Sequence, residues 1–237
     1  MGLKLGIPSK GRLQENTIAW FRARGVTLAR AGAEREYAGR IEGAPGVELV
    51  LLSAAEIPRE LAAGRLHLGV TGQDLVREEI PAWETRLEEI APMGFGHADL
   101  IVAVPAFWID VKDMSDLDAA AADFRARRGM RLRVATKYHR LAREHFRAHG
   151  VADYQLVDSQ GATEGAVKNL TAEAIVDITS SGATLRDNHL RVLEDGPILA
   201  SQATLFASKV APWTAGGLAA RATLLARLGC GAGVAAG

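Results

Sequence analysis

The sequence predicts an α/β protein with strands and helices in alternation. Two observations lead there. A short apolar run, a break rich in glycine, hydroxyl or lysine, and then a helix-period segment recur four times along the 237 residues. No heptad, internal repeat or low-complexity tract competes with that pattern, and 48% hydrophobic content lets a chain of this length bury a substantial core.

The first unit is Leu3-Lys4-Leu5-Gly6-Ile7, a strand, followed by Pro8-Ser9-Lys10-Gly11. Residues 12–24 then read as a helix, with Leu13, Thr17, Trp20 and Phe21 on one face and Gly25 as its stop. The second is Leu66 to Val70, then Thr71-Gly72 and a helix over 73–79. Leu100 to Val104 is a further strand, and a polar helix around 115–128 follows it. The third unit runs from Leu132-Arg133-Val134-Ala135 through Thr136-Lys137 into a helix ending near His149-Gly150. In the fourth, Ala174-Ile175-Val176-Asp177-Ile178 leads into Thr179-Ser180-Ser181-Gly182-Ala183-Thr184. Such alternation implies largely parallel sheets, whose ligands bind beyond the carboxyl ends of the strands. The chemistry is therefore expected at those four breaks. After Ser208 the chain is rich in Ala and Gly, with Leu218, Leu224, Leu225 and Leu228 able to line a short helix and disorder expected from Gly229 onward.

Composition narrows the function. Lys+Arg and Asp+Glu stand at 28 each, which argues against a general nucleic-acid or membrane-surface binder. Only six cations are lysines, which makes Lys10 and Lys137, both at strand–loop breaks, conspicuous. One cysteine, Cys230, excludes an intrachain disulfide, and with no secretory pattern or membrane-length apolar run a cytoplasmic protein is expected. His145 and His149 have zinc-like spacing, but Phe146-Arg147-Ala148 between them lacks a metalloprotease glutamate, and a helix C-terminal cation explains His149 better.

The turn after Asp177 carries the strongest chemical signal. Residues 179–184 hold four hydroxyls and one glycine directly after an apolar strand. A phosphate monoester is held by many convergent donors with little bulk, and short hydroxyls with bare backbone N–H groups supply them. Asp177, at the strand's end, stands where a carboxylate accepts hydrogen bonds from ribose hydroxyls. Taken alone, the same residues also suit an ordinary Ser/Thr/Gly turn with a helix cap. No Gly-Lys-Ser/Thr follows, so this is not a Walker loop.

Ala172 to Arg186 resembles the signature of ATP phosphoribosyltransferase, the first enzyme of histidine biosynthesis. Pro8-Ser9-Lys10-Gly11-Arg12-Leu13 is similar to that family's amino-terminal Pro-Lys-Gly-Arg-Leu element. Glu56-Ile57-Pro58, Leu68 to Asp74, Ala135-Thr136-Lys137-Tyr138 and Gly161-Ala162-Thr163-Glu164 match further blocks, in order. The departures are Ser53 for an arginine, Glu56 and Glu173 for aspartates, and His97-Ala98-Asp99 after Phe95-Gly96 for a Cys-Arg pair. Arg35 and Arg59 are the arginines near the first of these.

The resemblance implies two α/β lobes of the type II periplasmic-binding-protein kind, with the active site in the cleft between lobes. Residues 1–94 with 182–207 are expected in one lobe and 95–181 in the other, with 208–237 a C-terminal helix and tail rather than a regulatory domain. It implies transfer of the phosphoribosyl group of phosphoribosyl pyrophosphate to N1 of ATP, with Mg²⁺ arriving on the substrate and no dedicated metal site. Thr179, Ser180, Ser181, Gly182, Ala183 and Thr184 then hold the 5-phosphate, and Asp177 faces the ribose. Lys10 and Arg12 face the pyrophosphate and ATP phosphates, with a solvated loop and a helix-start arginine as the plainer reading. Glu164 faces the ribose hydroxyls or Mg²⁺, or is a first-turn helix glutamate. ATP is assigned Gly11, Thr71, Gly72, Asp74, Asp99 and Lys137. The implied assembly is a homodimer that joins a regulatory subunit resembling histidyl-tRNA synthetase, through which histidine feedback acts. A solute-binding protein, the effector domain of a transcription regulator and a catalytically silent subunit are the other readings this fold admits.

Overall fold

A computed structural model describes residues 2–30, 38–159, 161 and 163–230. The chain divides into two compact units, Met1–Gly96 with Gln202–Gly237, and His97–Ser201.

In chain order the first unit holds β1 (Leu3–Pro8), α1 (Gly11–Arg22), β2 (Thr27–Arg30), β3 (Ala38–Glu42), β4 (Val47–Leu52), α2 (Glu56–Ala62), β5 (Leu68–Gly72), α3 (Gln73–Glu79) and β6 (Leu87–Pro92). The second holds β7 (Ala98–Pro105), α4 (Met114–Arg128), β8 (Leu132–Thr136), α5 (His139–Ala148), β9 (Tyr154–Asp158), α6 (Gly165–Lys168), β10 (Ala174–Thr179), α7 (Ala183–Asp187), β11 (Leu190–Val192) and β12 (Leu199–Ser201). The chain then returns to the first unit as β13 (Ala203–Ser208) and α8 (Ala215–Leu228).

Each unit is one sheet with apolar cover on both faces. The first sheet runs β2-β3-β4-β1-β5-β13-β6, and the second β11-β7-β10-β8-β9, with β12 also on β7. Side chains alternate across a strand, so each strand feeds two cores. On β13, Ala203, Leu205 and Ala207 join one cluster with Leu3, Leu5 and Phe21, while Phe206 joins Ile57, Leu61 and Val76 on the opposite face. On β7, Leu100, Val102 and Val104 pack with Phe146, while Ile101 and Ala103 pack with Leu185. Gly69 is required where α2 crosses β5: a Cβ there would stand 2.7 Å from Ile57 Cγ2. No helix among the described residues is long and apolar enough to cross a membrane.

The sheets are mixed rather than largely parallel. Among the described residues, parallel pairing is confined to β4-β1-β5 and β10-β8-β9, the strands that carry the sequence motifs. The remaining ladders are antiparallel, because β7, β13 and β3 run against their neighbours. The lobe boundary also differs from the expected one. Residues 182–201 stay with the second unit, because β11 and β12 both pair with β7; the chain returns only at Gln202.

Two departures from the family pattern have a structural account. Ser53 Oγ accepts from the Glu56 N–H at 3.3 Å, and Glu56 Oε2 accepts from the Ser53 N–H at 2.9 Å. This reciprocal capping box closes the start of α2. Glu173 accepts from the Arg133 main-chain N–H at 2.8 Å and from its guanidinium at 2.5 Å, while Glu173 N donates to Arg133 O. The longer glutamate side chain thus ties β8 to the start of β10, and it holds the Arg133 pKa above its ordinary value, chiefly through that side-chain hydrogen bond.

After Ser208 the chain forms α8. Thr214 caps α8 by accepting from Gly217 N, and Ala220, Leu224, Leu225 and Leu228 enter the first unit's core. Leu218 stays half exposed. Gly229 closes the helix in the left-handed region at φ 71°, and residues 231–237 lie outside the described part of the chain.

Candidate active site

In the second unit the carboxyl ends of three parallel strands lie side by side. Their register pairs Thr136 with Val176 on one side and with Asp158 on the other. Lys137, Asp177 and Ser159 therefore lie at one edge, Asp177 still paired with Ile101 of β7. The antiparallel β7 begins at the same edge, with Asp99 opposite Thr179 and Ala98 opposite Ser201. So the edge that bears the motifs is also where the chain enters and leaves this unit.

The turn after β10 has the form that anion binding asks for. Thr179 Oγ1 accepts from Gly182 N at 3.0 Å, and Ser181 Oγ accepts from Ala183 N at 3.3 Å. These bonds curl the loop on itself. Gly182 sits at φ 68°, and a Cβ there would come within 3.0 Å of the Arg186 guanidinium, so only glycine turns here without strain. The N–H groups of Ser180, Ser181 and Thr184 make no hydrogen bond among the described residues, nor do the Ser180 and Thr184 hydroxyls. Ser180, Ser181, Ala183 and Thr184 are exposed. Donors are therefore turned outward, uncommitted to neighbouring backbone.

Asp177 stands at the base of this loop with its side chain 16% exposed. Its Oδ1 accepts from Ile178 N at 2.8 Å and lies 4.0 Å from Lys137 Nζ. Lys137 and Asp177, assigned by resemblance to different substrates, are thus brought together. Asp99 likewise stands beside the loop after β10, across the strand pair from Thr179. Glu164 precedes α6 and is partly exposed, while Thr163 beneath it is fully buried, with Ser159 Oγ donating to its hydroxyl at 3.2 Å. The sequence reading missed His139 and Asp158, which pair at 3.1 Å on the same edge. The signal available for them was Asp158 closing the apolar pair Leu156-Val157 at the end of β9.

The first unit repeats the arrangement. Strands β4, β1 and β5 end together, with Pro8 beside Leu52 and Ser9 N donating to Leu52 O at 2.7 Å. Lys10, Gly11 and Arg12 follow β1 and are exposed. Gly72 precedes α3 and pairs with Ala203, the first residue of the returning strand. Thr71 faces inward: it is fully buried and its hydroxyl donates to Ala54 O at 2.8 Å. Asp74 is buried in the first turn of α3. Arg59 is engaged with Glu79 at 2.7 Å, and Arg35 lies outside the described residues.

No group of three or more His, Cys, Asp and Glu able to hold a metal stands together among the described residues. His145 and His149 stack at 4.3 Å and the His149 ring bonds His145 O at the end of α5. Burial, and then His149, push the His145 pKa below its ordinary value.

Comparison with known proteins places this geometry. Residues 53–228 match the family model described as ATP phosphoribosyltransferase. The chain is 68% identical over 231 residues to the ATP phosphoribosyltransferase of Cereibacter sphaeroides, covering 97% of each. It is 53% identical over 224 residues to that of Rhodopseudomonas palustris strain BisB18, spanning 94% of this chain and 69% of the relative. Among solved structures it resembles the ATP phosphoribosyl transferase (HisG:HisZ) complex from Thermotoga maritima, with TM-score 0.70, 22% identity and 96% of each chain covered. The substrate binding protein of an amino acid ABC transporter has the same fold at TM-score 0.52 and 11% identity, covering 96% of this chain and 91% of its own. Those two structural likenesses carry the fold, two sheet-containing α/β units of the periplasmic-binding-protein kind; the sequence matches carry more. The chain belongs to the ATP phosphoribosyltransferase family.

Proposed function

We propose that this chain performs its family's reaction, the first step of histidine biosynthesis, with the donor held by the loop after β10. Adenine N1 of ATP forms a bond to C1 of the phosphoribosyl group as the C1–oxygen bond breaks, and pyrophosphate leaves with the electron pair. The outward hydroxyls and N–H groups of residues 179–184 carry this reading. They suit the 5-phosphate, and Asp177 beside them suits the ribose hydroxyls. Lys10 and Arg12 meet the charge that builds on the leaving pyrophosphate, a contact worth more in the transition state than in the ground state. Gly11, Gly72 and the main chain at Thr71 lie toward ATP, with Asp74 and Asp99; Glu164 lies toward the ribose.

The family uses metal-assisted substrate binding. We assign that metal as Mg²⁺ carried on the donor's pyrophosphate, which retains its own waters and needs few protein ligands. The Thermotoga maritima structure is of a HisG:HisZ complex. By analogy, this chain forms a homodimer and joins a regulatory subunit, which passes on histidine feedback in the cytoplasm.

The test mixes purified protein with ATP, phosphoribosyl pyrophosphate and Mg²⁺, with and without the candidate partner. Pyrophosphate release together with the ultraviolet change of N1-substituted adenine is expected. Absence of product in both conditions removes the catalytic reading.

A further inference from the structure

We infer that Lys137 is a positioning residue of the donor site, steering the Asp177 carboxylate, and not a ligand of ATP phosphates. The inference rests on the donor placement proposed above. The Lys137 side chain is 38% exposed, but its backbone is held. It sits between Thr136, fully buried, and Tyr138, 1% exposed, and Thr136 Oγ1 accepts from Tyr138 N at 2.8 Å. Its backbone is therefore fixed at the end of β8, and its ammonium lies 5.1 Å from the Tyr138 ring. The adjacent parallel strand places Asp177 directly across, 4.0 Å from Nζ. On the other side Asp158 is engaged with His139.

The contact has a chemical use. Asp177 Oδ1 already accepts from Ile178 N and lies 4.0 Å from the ammonium, while Oδ2 accepts no hydrogen bond among the described residues and is left for ribose hydroxyls. The donor carries several negative charges, and a bare carboxylate beside its phosphate site repels it. A lysine held against that carboxylate both orients it and offsets its charge. Lys137 therefore acts on the donor through Asp177.

Lys137→Met keeps most of the stem and removes the charge. Its dissociation constant for phosphoribosyl pyrophosphate is expected to rise about tenfold, the scale of one charge-assisted contact. Affinity for ATP should stay within about twofold, and Lys137→Arg should recover most of the donor loss. In an Asp177→Asn background the same substitution should cost less than about threefold, because there is no charge left to offset. Equal penalties in both backgrounds, a loss confined to ATP, or no loss at all each overturn the inference. Thr184→Ala, run alongside, separates this from the donor placement itself. If it leaves donor affinity intact, the loop assignment has failed; if it weakens the donor while Lys137→Met does not, only the role of Lys137 has.

Discussion

At the level of single residues, the loop's chemistry rests on which donors are already spent. Gly182 and Ala183 give their N–H groups to Thr179 and Ser181, so those two hydroxyls shape the turn, while those of Ser180 and Thr184 make no hydrogen bond among the described residues. Thr184→Ala should therefore weaken phosphoribosyl pyrophosphate binding about tenfold with the fold intact, measured by calorimetric titration. Unchanged affinity places the phosphate elsewhere. Lys10 follows β1 and is exposed, and on the proposed role Lys10→Ala should lower kcat/KM roughly 10²-fold, the scale of one lost transition-state contact. A loss below about threefold returns Lys10 to solvent. The four hydroxyls were legible in the sequence because they crowd directly after an apolar run. The approach of Lys137 to Asp177 was not, since forty residues separate them and only the β8–β10 register joins them.

Elements repeat the lesson about what a linear reading reaches. Strands β1, β8 and β10 and helices α1 and α5 announce themselves by apolar period and a break. Strands β11 and β12 do not, because they are three residues each and take their place only from pairing with β7. That is why residues 182–201 were expected in the wrong unit. The start of α2 was legible in principle, since Ser53-Ala54-Ala55-Glu56 has capping-box spacing. Reading Ser53 and Glu56 as separate departures from a family pattern hid their hydrogen bonds to each other. Ser53→Ala removes the cap of α2 and should cost about 1 kcal/mol, lowering Tm by roughly 2–4 °C in a chain of this size. The Glu56 carboxyl is held below the usual carboxylate range, first by its hydrogen bonds to Ser53 and then by Arg59. A folded pKa below the unfolded one gives stability that is present above the unfolded value and lost as pH falls through the folded one. The Tm difference between wild type and Ser53→Ala should accordingly shrink as the solution is acidified below pH ~4. A constant difference down to low pH separates Ser53 from Glu56.

For the whole molecule, the proposed 5-phosphate loop and the core that α8 completes belong to different units. The proposed phosphate loop, Asp177 and Lys137 all belong to His97–Ser201, whose cores rest on α4 and α5 on one face and α6 and α7 on the other. The first unit's core also takes in α8, the segment whose leucines the sequence offered as a short helix. Leu224 of α8 is fully buried in the cluster with Leu3, Leu5 and Phe21, more than two hundred residues away in sequence. Truncating such a side chain removes its transfer energy and leaves a cavity, a combined cost of about 2–5 kcal/mol for Leu→Ala. Leu224→Ala should therefore shift the urea midpoint substantially downward, while the folded variant binds the donor about as tightly as wild type. Circular dichroism through the urea series gives the first quantity, and donor titration at low urea gives the second. An unchanged midpoint makes α8 an ornament on the first unit rather than part of its core. A midpoint shift accompanied by lost donor affinity in the folded protein couples the first unit's core to the loop, and the separation of roles between the units then fails.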